Sequence, residues 1–348
     1  MKVLVVHPGP HFSVADVHRG LLKGLNACGV DAREFNLHDR LNFYSEATLQ
    51  RDGAYVKAFS PEAAISMAAK GMETVLYEWW PDVVVIVSGF FIPPEVWGVL
   101  ARRPHHVVLW CTESPYEDSK QAQAAEFADT VVLNDPANLL AFQQHTNPRT
   151  YYFPHSYDPD VHHPRDPDPD IASDFAFVGT GFPSRIEFFE RVDWSGLKVN
   201  LAGNWQTITG KSVLAPFLLH DRDQCIDNAD AVRLYTSAKV NANLYRQEVT
   251  EGSHADGWAM GPREVELAAS GCFFLRDPRG EGDDLFPMLP TFDSPEEFSS
   301  LLRWWVTHDT ERKSAADAAR AAVADRTFTN TAKRLLRIVD GVGKPVTR

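Results

Sequence analysis

The chain has 348 residues, 44% hydrophobic and 23% charged, a composition typical of a folded globular protein, and its length exceeds what one hydrophobic core usually organises. Basic residues number 34 against 47 acidic ones; the formal charge of -13 disfavours a broad phosphate-binding surface and hence sequence-independent binding to nucleic acid. No apolar run reaches the ~20 residues of a membrane span, and the apolar start MKVLVV is too short for a signal-peptide core, so a soluble cytoplasmic protein is expected.

In chain order, KVLVVHP reads as a short β-branched strand ending in a Gly/Pro turn, and ADVHRGLLKGLNACG follows with helical spacing and a glycine stop. VDAREFNL reads as a strand, PEAAISMAAKGMETVLYEWW as a helix and PDVVVIVSG as a buried strand. PPEVWGVLARR is helical by pattern, HHVVLWCTE is a strand, and helices are expected from Ser119 to Phe127 and from Pro136 to Gln144, with ADTVVLND and TYYFP as further strands. Alternating strands and helices argue for a doubly wound parallel sheet over residues 1–157. Residues 158–172 are rich in Asp and Pro without apolar periodicity and read as a linker. A second series then begins: DFAFVGTG, a helix through RIEFFERV, LKVNLAGNW, a helix through DAVRLYTSA, KVNANLY, PREVELAASG and CFFLRD. It predicts a second Rossmann-like lobe over 173–312, and the helical stretch 313–348 is expected to cross back to the first lobe. Cys28, Cys111, Cys225 and Cys272 are scattered without CxxC spacing, which predicts reduced thiols rather than a disulfide framework or zinc site.

Ligands of open α/β sheets sit beyond the carboxyl ends of the strands, so the loops there hold the candidates. GWAMGPREVELAASG begins a helix at Gly261-Pro262 and places Arg263 and Glu266 on one face near its N-terminus. A helix N-terminus with an arginine suits a diphosphate, and a nearby carboxylate can accept both hydroxyls of a ribose. A capped surface helix fits the same segment equally well. FVGTGFPSR is a strand, a turn of Gly179, Thr180 and Gly181, and a helix carrying Arg185; it lacks the G-x-G-x-x-G spacing of nicotinamide dehydrogenases. On the first lobe His7, His11 and Ser13 follow the first strand, Ser88 follows VVVIV, and Glu113 lies in CTESPYED. His11 or Glu113 is the candidate to orient an acceptor hydroxyl, with loop hydrogen bonding as an equal alternative for each. His162 and His163 are adjacent and point apart in an extended chain, poor geometry for one metal.

FNLHDRL, CTESPYED, FAFVGTGFPSRIEFFERVDW, GNW, AVRLYTSAKVNANLY, GW followed by PR, and the DLFP to TFDSPEE tail form an ordered set over nearly the whole chain. Together they resemble the CgeB-type family, related to the group 1 (GT4-like) glycosyltransferases. The resemblance implies a GT-B architecture: two Rossmann-like doubly wound lobes facing a central cleft, with C-terminal helices packing back on the N-terminal lobe. It implies retaining, metal-independent transfer from a nucleotide-sugar, a UDP-sugar foremost, with no cofactor. The donor would lie on the C-terminal lobe and the acceptor (a protein, a glycan or a hydroxymethylated DNA base) on the N-terminal one. Carried over by position, Glu266 would hold the ribose, Arg185 and Arg263 the diphosphate, and Gly179 to Gly181 would face it, with Asn204 of GNW nearby. Group 1 families often carry a second glutamate eight positions earlier; here that place is Trp258, and Glu251, His254 or Asp256 could substitute or the indole could stack on base or sugar. The other readings are a nucleotide-sugar epimerase or hydrolase and a catalytically silent nucleotide-sugar or glycan-binding protein.

Overall fold

The computed structural model describes residues 1–10, 14–102, 104–253 and 255–341. The chain forms two compact units. Unit 1 comprises residues 1–153, 250–256 and 328–348, and unit 2 comprises 154–249 and 257–327.

Unit 1 is built on a six-stranded sheet. Its strands are β1 (Lys2–Val6), β2 (Asp31–Phe35), β5 (Val83–Val87), β6 (His106–Cys111), β7 (Thr130–Leu133) and β8 (Thr150–Tyr152), in the order β2-β1-β5-β6-β7-β8. Every pairing in it is parallel. Successive residues of β1 and β5 face opposite layers, and both layers are dry. Leu4, Val6, Val84 and Ile86 pack under Ala64, Ala68, Met72 and Leu76 of α3 (Pro61–Trp79). Val3, Val5, Val85 and Val87 pack under Leu21 and Leu25 of α1 (Ala15–Ala27) and under Phe328, Ala332 and Leu335 of α13 (Phe328–Gly341). Burial on both faces explains why these strands read as continuous apolar runs. Helices α1 and α13 approach closely because α1 offers Gly20 and Gly24: a Cβ at Gly24 would stand 2.5 Å from the carbonyl oxygen of Phe328.

Between β2 and α3 the sequence reading left a gap. The structure places α2 (Leu37–Glu46) there, capped by Asn36, whose Oδ1 accepts from Asp39 N at 3.0 Å, and then an antiparallel hairpin of β3 (Thr48–Arg51) and β4 (Ala54–Lys57). Asp52 and Gly53 both take positive φ, 50° and 79°, as a tight hairpin turn requires.

Unit 2 has a four-stranded parallel sheet, β9 (Ser173–Val178), β10 (Val199–Ala202), β11 (Ala238–Asn243) and β12 (Phe274–Arg276), in the order β10-β9-β11-β12. Its core joins Phe175, Phe177 and Leu201 to Phe189 of α7 (Pro183–Glu190), Val232 of α8 (Asn228–Ser237), Val265 and Leu267 of α9 (Pro262–Ala269) and Phe298 and Leu302 of α11 (Pro295–Thr307). The segment read as a linker is packed within this unit. Asp168 accepts from Arg233 Nε at 2.6 Å, its backbone N–H donates to Ser237 Oγ at 2.9 Å, and His162 is buried. The crossing to the first unit, expected at about 313, comes instead at Phe328. The helix before it, α12 (Asp309–Ala322), turns Ala315, Ala316 and Ala319 into the core of unit 2.

Candidate donor site at the carboxyl end of the second sheet

In each sheet the first strand lies between the second and the third, so the chain winds outward in both directions from one gap. These gaps, β1/β5 in unit 1 and β9/β11 in unit 2, are the switch points where such sheets bind ligands.

At the β9/β11 switch point, Gly179 follows β9 and Asn243 ends β11. Arg263, in the first turn of α9, donates from Nη1 to Asn243 Oδ1 at 3.1 Å. It packs so closely on the turn that a Cβ at Gly179 would stand 2.2 Å from Arg263 Nη2. Its guanidinium also lies 4.8 Å from the centre of the Phe177 ring and donates to the hydroxyl of Tyr235. Arg263 Nε and Asn243 Nδ2 are buried donors with no partner among the described residues, an arrangement suited to an incoming oxygen. Glu266 lies one turn along the same helix; Asn228 donates to its carboxyl group, and burial raises its pKa to about 7 against the attraction of Arg263. Burial also pushes the Tyr235 hydroxyl above the ordinary phenol range, with Glu266 adding to the effect.

The turns after β9 and β10 are locked together. Gly179 N donates to Ala202 O at 2.9 Å, and Gly181 N donates to Asn204 O at 2.7 Å. Gly203, at φ 105°, leaves no room for a side chain, since its Cβ would stand 2.5 Å from Gly179 O, and Gly181 lies flat against the buried indole of Trp205. The Asn204 side chain accepts from Gln206 N at 3.0 Å and so shapes its own loop. Thr180 is exposed and offers its carbonyl to Arg185.

Arg185 has a different place from the one its sequence position suggested. It is buried, and its guanidinium donates to the carbonyls of Leu244 at 2.8 Å and Thr180 at 2.9 Å, tying together the loops that follow β11 and β9. The N-terminus of α7 is likewise occupied: Glu248 accepts from Ser184 N at 3.0 Å and from Ser184 Oγ at 3.1 Å. The N-terminus of α9 is capped too, by its own Glu264, which accepts from Gly261 N at 3.0 Å, so the Arg263 guanidinium is the group at this end of α9 suited to a phosphate. Trp258 is 41% exposed with its indole laid over Gly280, where a Cβ would come within 2.3 Å of Cδ1. Glu251 and Asp256 belong to unit 1, where Glu251 O accepts from Ser119 Oγ at 3.0 Å; His254 lies outside the described residues.

Behind the site are two acidic residues that sequence reading missed, one fully buried and one half-buried. Glu264, fully buried, accepts from the Tyr245 hydroxyl and, at 3.0 Å, from Gly261 N, while Asp277 accepts from Tyr245 N at 2.8 Å. Burial raises each carboxyl to about 7. Asn241 and Asn243 carried a readable signal: two buried asparagines on one face of a strand need a reason.

At the β1/β5 switch point of unit 1, Ser88 is buried with φ 63°, unusual for a residue other than glycine, and its Oγ shares a hydrogen bond with Thr112 Oγ1 at 2.6 Å. Gln121 donates to Ser88 O at 3.1 Å. His7 accepts from Gly9 N at 3.1 Å through Nδ1, and its ring meets that of His18 edge-on at 4.9 Å; burial, then the neighbouring His38, lower its pKa to about 4. Glu113 is half-buried at the end of β6, its carbonyl accepting from Glu117 N at 3.1 Å. His11 and Ser13 lie outside the described residues.

Residues 185–337 match the family model described as glycosyl transferase-like. Over its full length the chain is similar in fold to sucrose-phosphate synthase from Thermosynechococcus elongatus, with TM-score 0.68 and 10% identity over 99% of this chain and 100% of that one. It is similar also to Anabaena HepE, solved in complex with UDP and glucose, with TM-score 0.60 and 12% identity over 98% of this chain and 100% of that one. The architecture is GT-B, and the chain is a glycosyltransferase. It is similar in sequence to the spore protein CgeB of Bacillus subtilis (strain 168), 21% identical over 272 residues that cover 76% of this chain and 82% of that protein. This similarity agrees with the CgeB-type resemblance carried by the sequence motifs. No helix among the described residues is long and apolar enough to cross a membrane.

Proposed function

We propose that the chain moves a sugar from a nucleotide-sugar, a UDP-sugar foremost, with unit 2 as the donor lobe and unit 1 recognising the acceptor. The observation that carries this reading is the convergence of Arg263, Asn243 and Gly179 at the β9/β11 switch point, with Glu266 one turn along α9. Departure of a nucleoside diphosphate builds negative charge on its phosphate oxygens. Arg263 brings a permanent positive charge, and the first turn of α9 brings its dipole. Both are prepositioned, Arg263 by Asn243, Tyr235 and the Phe177 ring. Glu266 would take the ribose hydroxyls, while Arg185 would hold the two loops in place rather than touch phosphate. That HepE was solved with UDP and glucose agrees with this donor class.

Transfer is proposed to be retaining and independent of metal, the arginine and helix supplying the charge that a cation would otherwise bring. For the acceptor, Ser88, His7 and Glu113 are the unit 1 groups at or near strand ends; the net charge of -13 favours a protein or glycan over DNA.

A thermal-shift screen against UDP, GDP, dTDP, ADP, CMP and their sugar conjugates tests the donor reading, because a ligand that binds only the folded state raises its melting temperature. A selective rise with UDP and UDP-sugars that disappears in Glu266→Ala is expected. No rise with any nucleotide at about millimolar concentration would remove the donor assignment. Turnover should persist in a chelator and give product of the donor's anomeric configuration.

A further inference from the structure

The opposite ends of the same strands carry a second concavity. A groove of about 750 Å³ opens where β9 and β11 begin, bounded by the turn after α9, by α12 and by the segment that precedes β9. Its size falls within the ~300–1,000 Å³ range of small-ligand pockets. It lies at the amino ends of the strands, and the site around Arg263 at their carboxyl ends.

Three observations describe what would fit. First, Ser173 and Ser270 line the groove, are only 6% and 2% exposed, and their hydroxyls have no hydrogen-bond partner among the described residues. A buried hydroxyl without a partner is uncommon and suits a ligand that brings its own donors and acceptors. Second, the lining holds more positive than negative charge. Lys239 pairs with Asp174 at 2.8 Å, Lys313 with Asp317 at 2.6 Å and Arg312 with Asp309 at 2.6 Å. Lys198 and Arg165 also line it; Lys198 shares the influence of Asp174 with Lys239, and Arg165 donates to the carbonyl of Val161 at 2.9 Å, an uncharged partner. Five cations (Arg165, Lys198, Lys239, Arg312, Lys313) against three carboxylates (Asp174, Asp309, Asp317) in one groove of a chain with net charge -13 point to an anion. Third, the wall is fixed: a Cβ at Gly271 would stand 3.2 Å from Pro164 Cγ, so the proline-rich segment lies directly on the turn after α9.

We propose that this groove is a second ligand site, distinct from the donor site, and that it takes a small sugar phosphate. The phosphate would lie on Lys198 and Arg165 and the sugar hydroxyls on Ser173 and Ser270.

Calorimetric titration of the full chain with glucose 6-phosphate tests it, with glucose and inorganic phosphate as comparison probes. The wild type should bind glucose 6-phosphate saturably, at least about tenfold more tightly than either fragment. Lys198→Glu, at an exposed position, should weaken binding by about tenfold or more with the fold checked by a melting curve, and Ser270→Ala should weaken it while Arg263→Ala leaves it unchanged. No saturable binding at about millimolar probe, or binding that survives Lys198→Glu and is lost in Arg263→Ala, would overturn the proposal. Phosphate binding as tightly as the sugar phosphate would overturn the role given to the two serines.

Discussion

Gly179 and Arg263 occupy one another's space: a single carbon added to the glycine would stand 2.2 Å from Nη2 of the arginine. The small residue in the turn after β9 is thus what lets the guanidinium lie at the switch point. Gly179→Ala should displace Arg263 and lower kcat/KM for the donor by about ten- to a hundredfold, the equivalent of a charge-assisted hydrogen bond. Steady-state kinetics beside a melting curve checks this; an equal loss in Asn204→Ala, which leaves Arg263 untouched, would mean that the loop and not the arginine matters.

Arg263→Lys keeps the charge and loses the planar fork that reaches Asn243 and Tyr235 together. It should retain donor binding better than Arg263→Ala but recover little of kcat. Full recovery of kcat by lysine would reduce the role of Arg263 to a point charge.

Glu266 titrates near neutrality because burial raises its carboxyl to about 7. A carboxylate accepts from ribose hydroxyls better than the protonated acid, so donor KM should fall as pH rises through about 7. Glu266→Gln should flatten that profile, and Glu266→Ala should cost about 1–3 kcal/mol of donor binding. A profile identical in wild type and Glu266→Gln would place the titrating group elsewhere.

Glu264, Glu266 and Asp277 all have folded pKa values raised to about 7 by burial. Between the ordinary carboxylate range and 7 the folded chain holds protons that the unfolded chain has released. Their contribution is therefore fully present below the unfolded pKa and is lost as pH rises through about 7. The melting temperature should decline across that window, and Glu264→Gln should shallow the decline.

In unit 1, Gly24→Ala would set a methyl group 2.5 Å from the Phe328 carbonyl oxygen, so α1 and α13 must separate. A loss of about 1–3 kcal/mol is expected, despite alanine's better helix propensity. Urea unfolding measures it; a stabilised variant would show that the contact is loose.

The repeated βα units were legible because buried parallel strands such as VVVIV and KVLVV are continuous apolar runs between helices of amphipathic spacing. The β3–β4 hairpin was not: both its strands are exposed, so no buried face imprints a pattern, and only Asp52-Gly53 announces it. The helix start that carries Arg263 and Glu266 was legible from its Gly-Pro signal, whereas the partners that hold Arg263 come from other elements, Asn243 from β11 and Tyr235 from α8. Arg185 shows the limit of position alone, since the same arginine after a Gly-rich turn can serve phosphate or backbone, and here the carbonyls of Thr180 and Leu244 take it.

The polypeptide passes from one unit to the other after Phe153, again on either side of 250–256, and finally before Phe328. Neither half is a cassette. A recombination event that joined a foreign first half at a single junction near Pro154 would still inherit the returning helix α13 and the strip 250–256, both fitted to the discarded partner. It would also leave the newcomer's own first helix facing an ill-matched Phe328. Exchange of donor specificity in such a chain is therefore expected to proceed by point substitution within the loops of unit 2, not by trading whole halves.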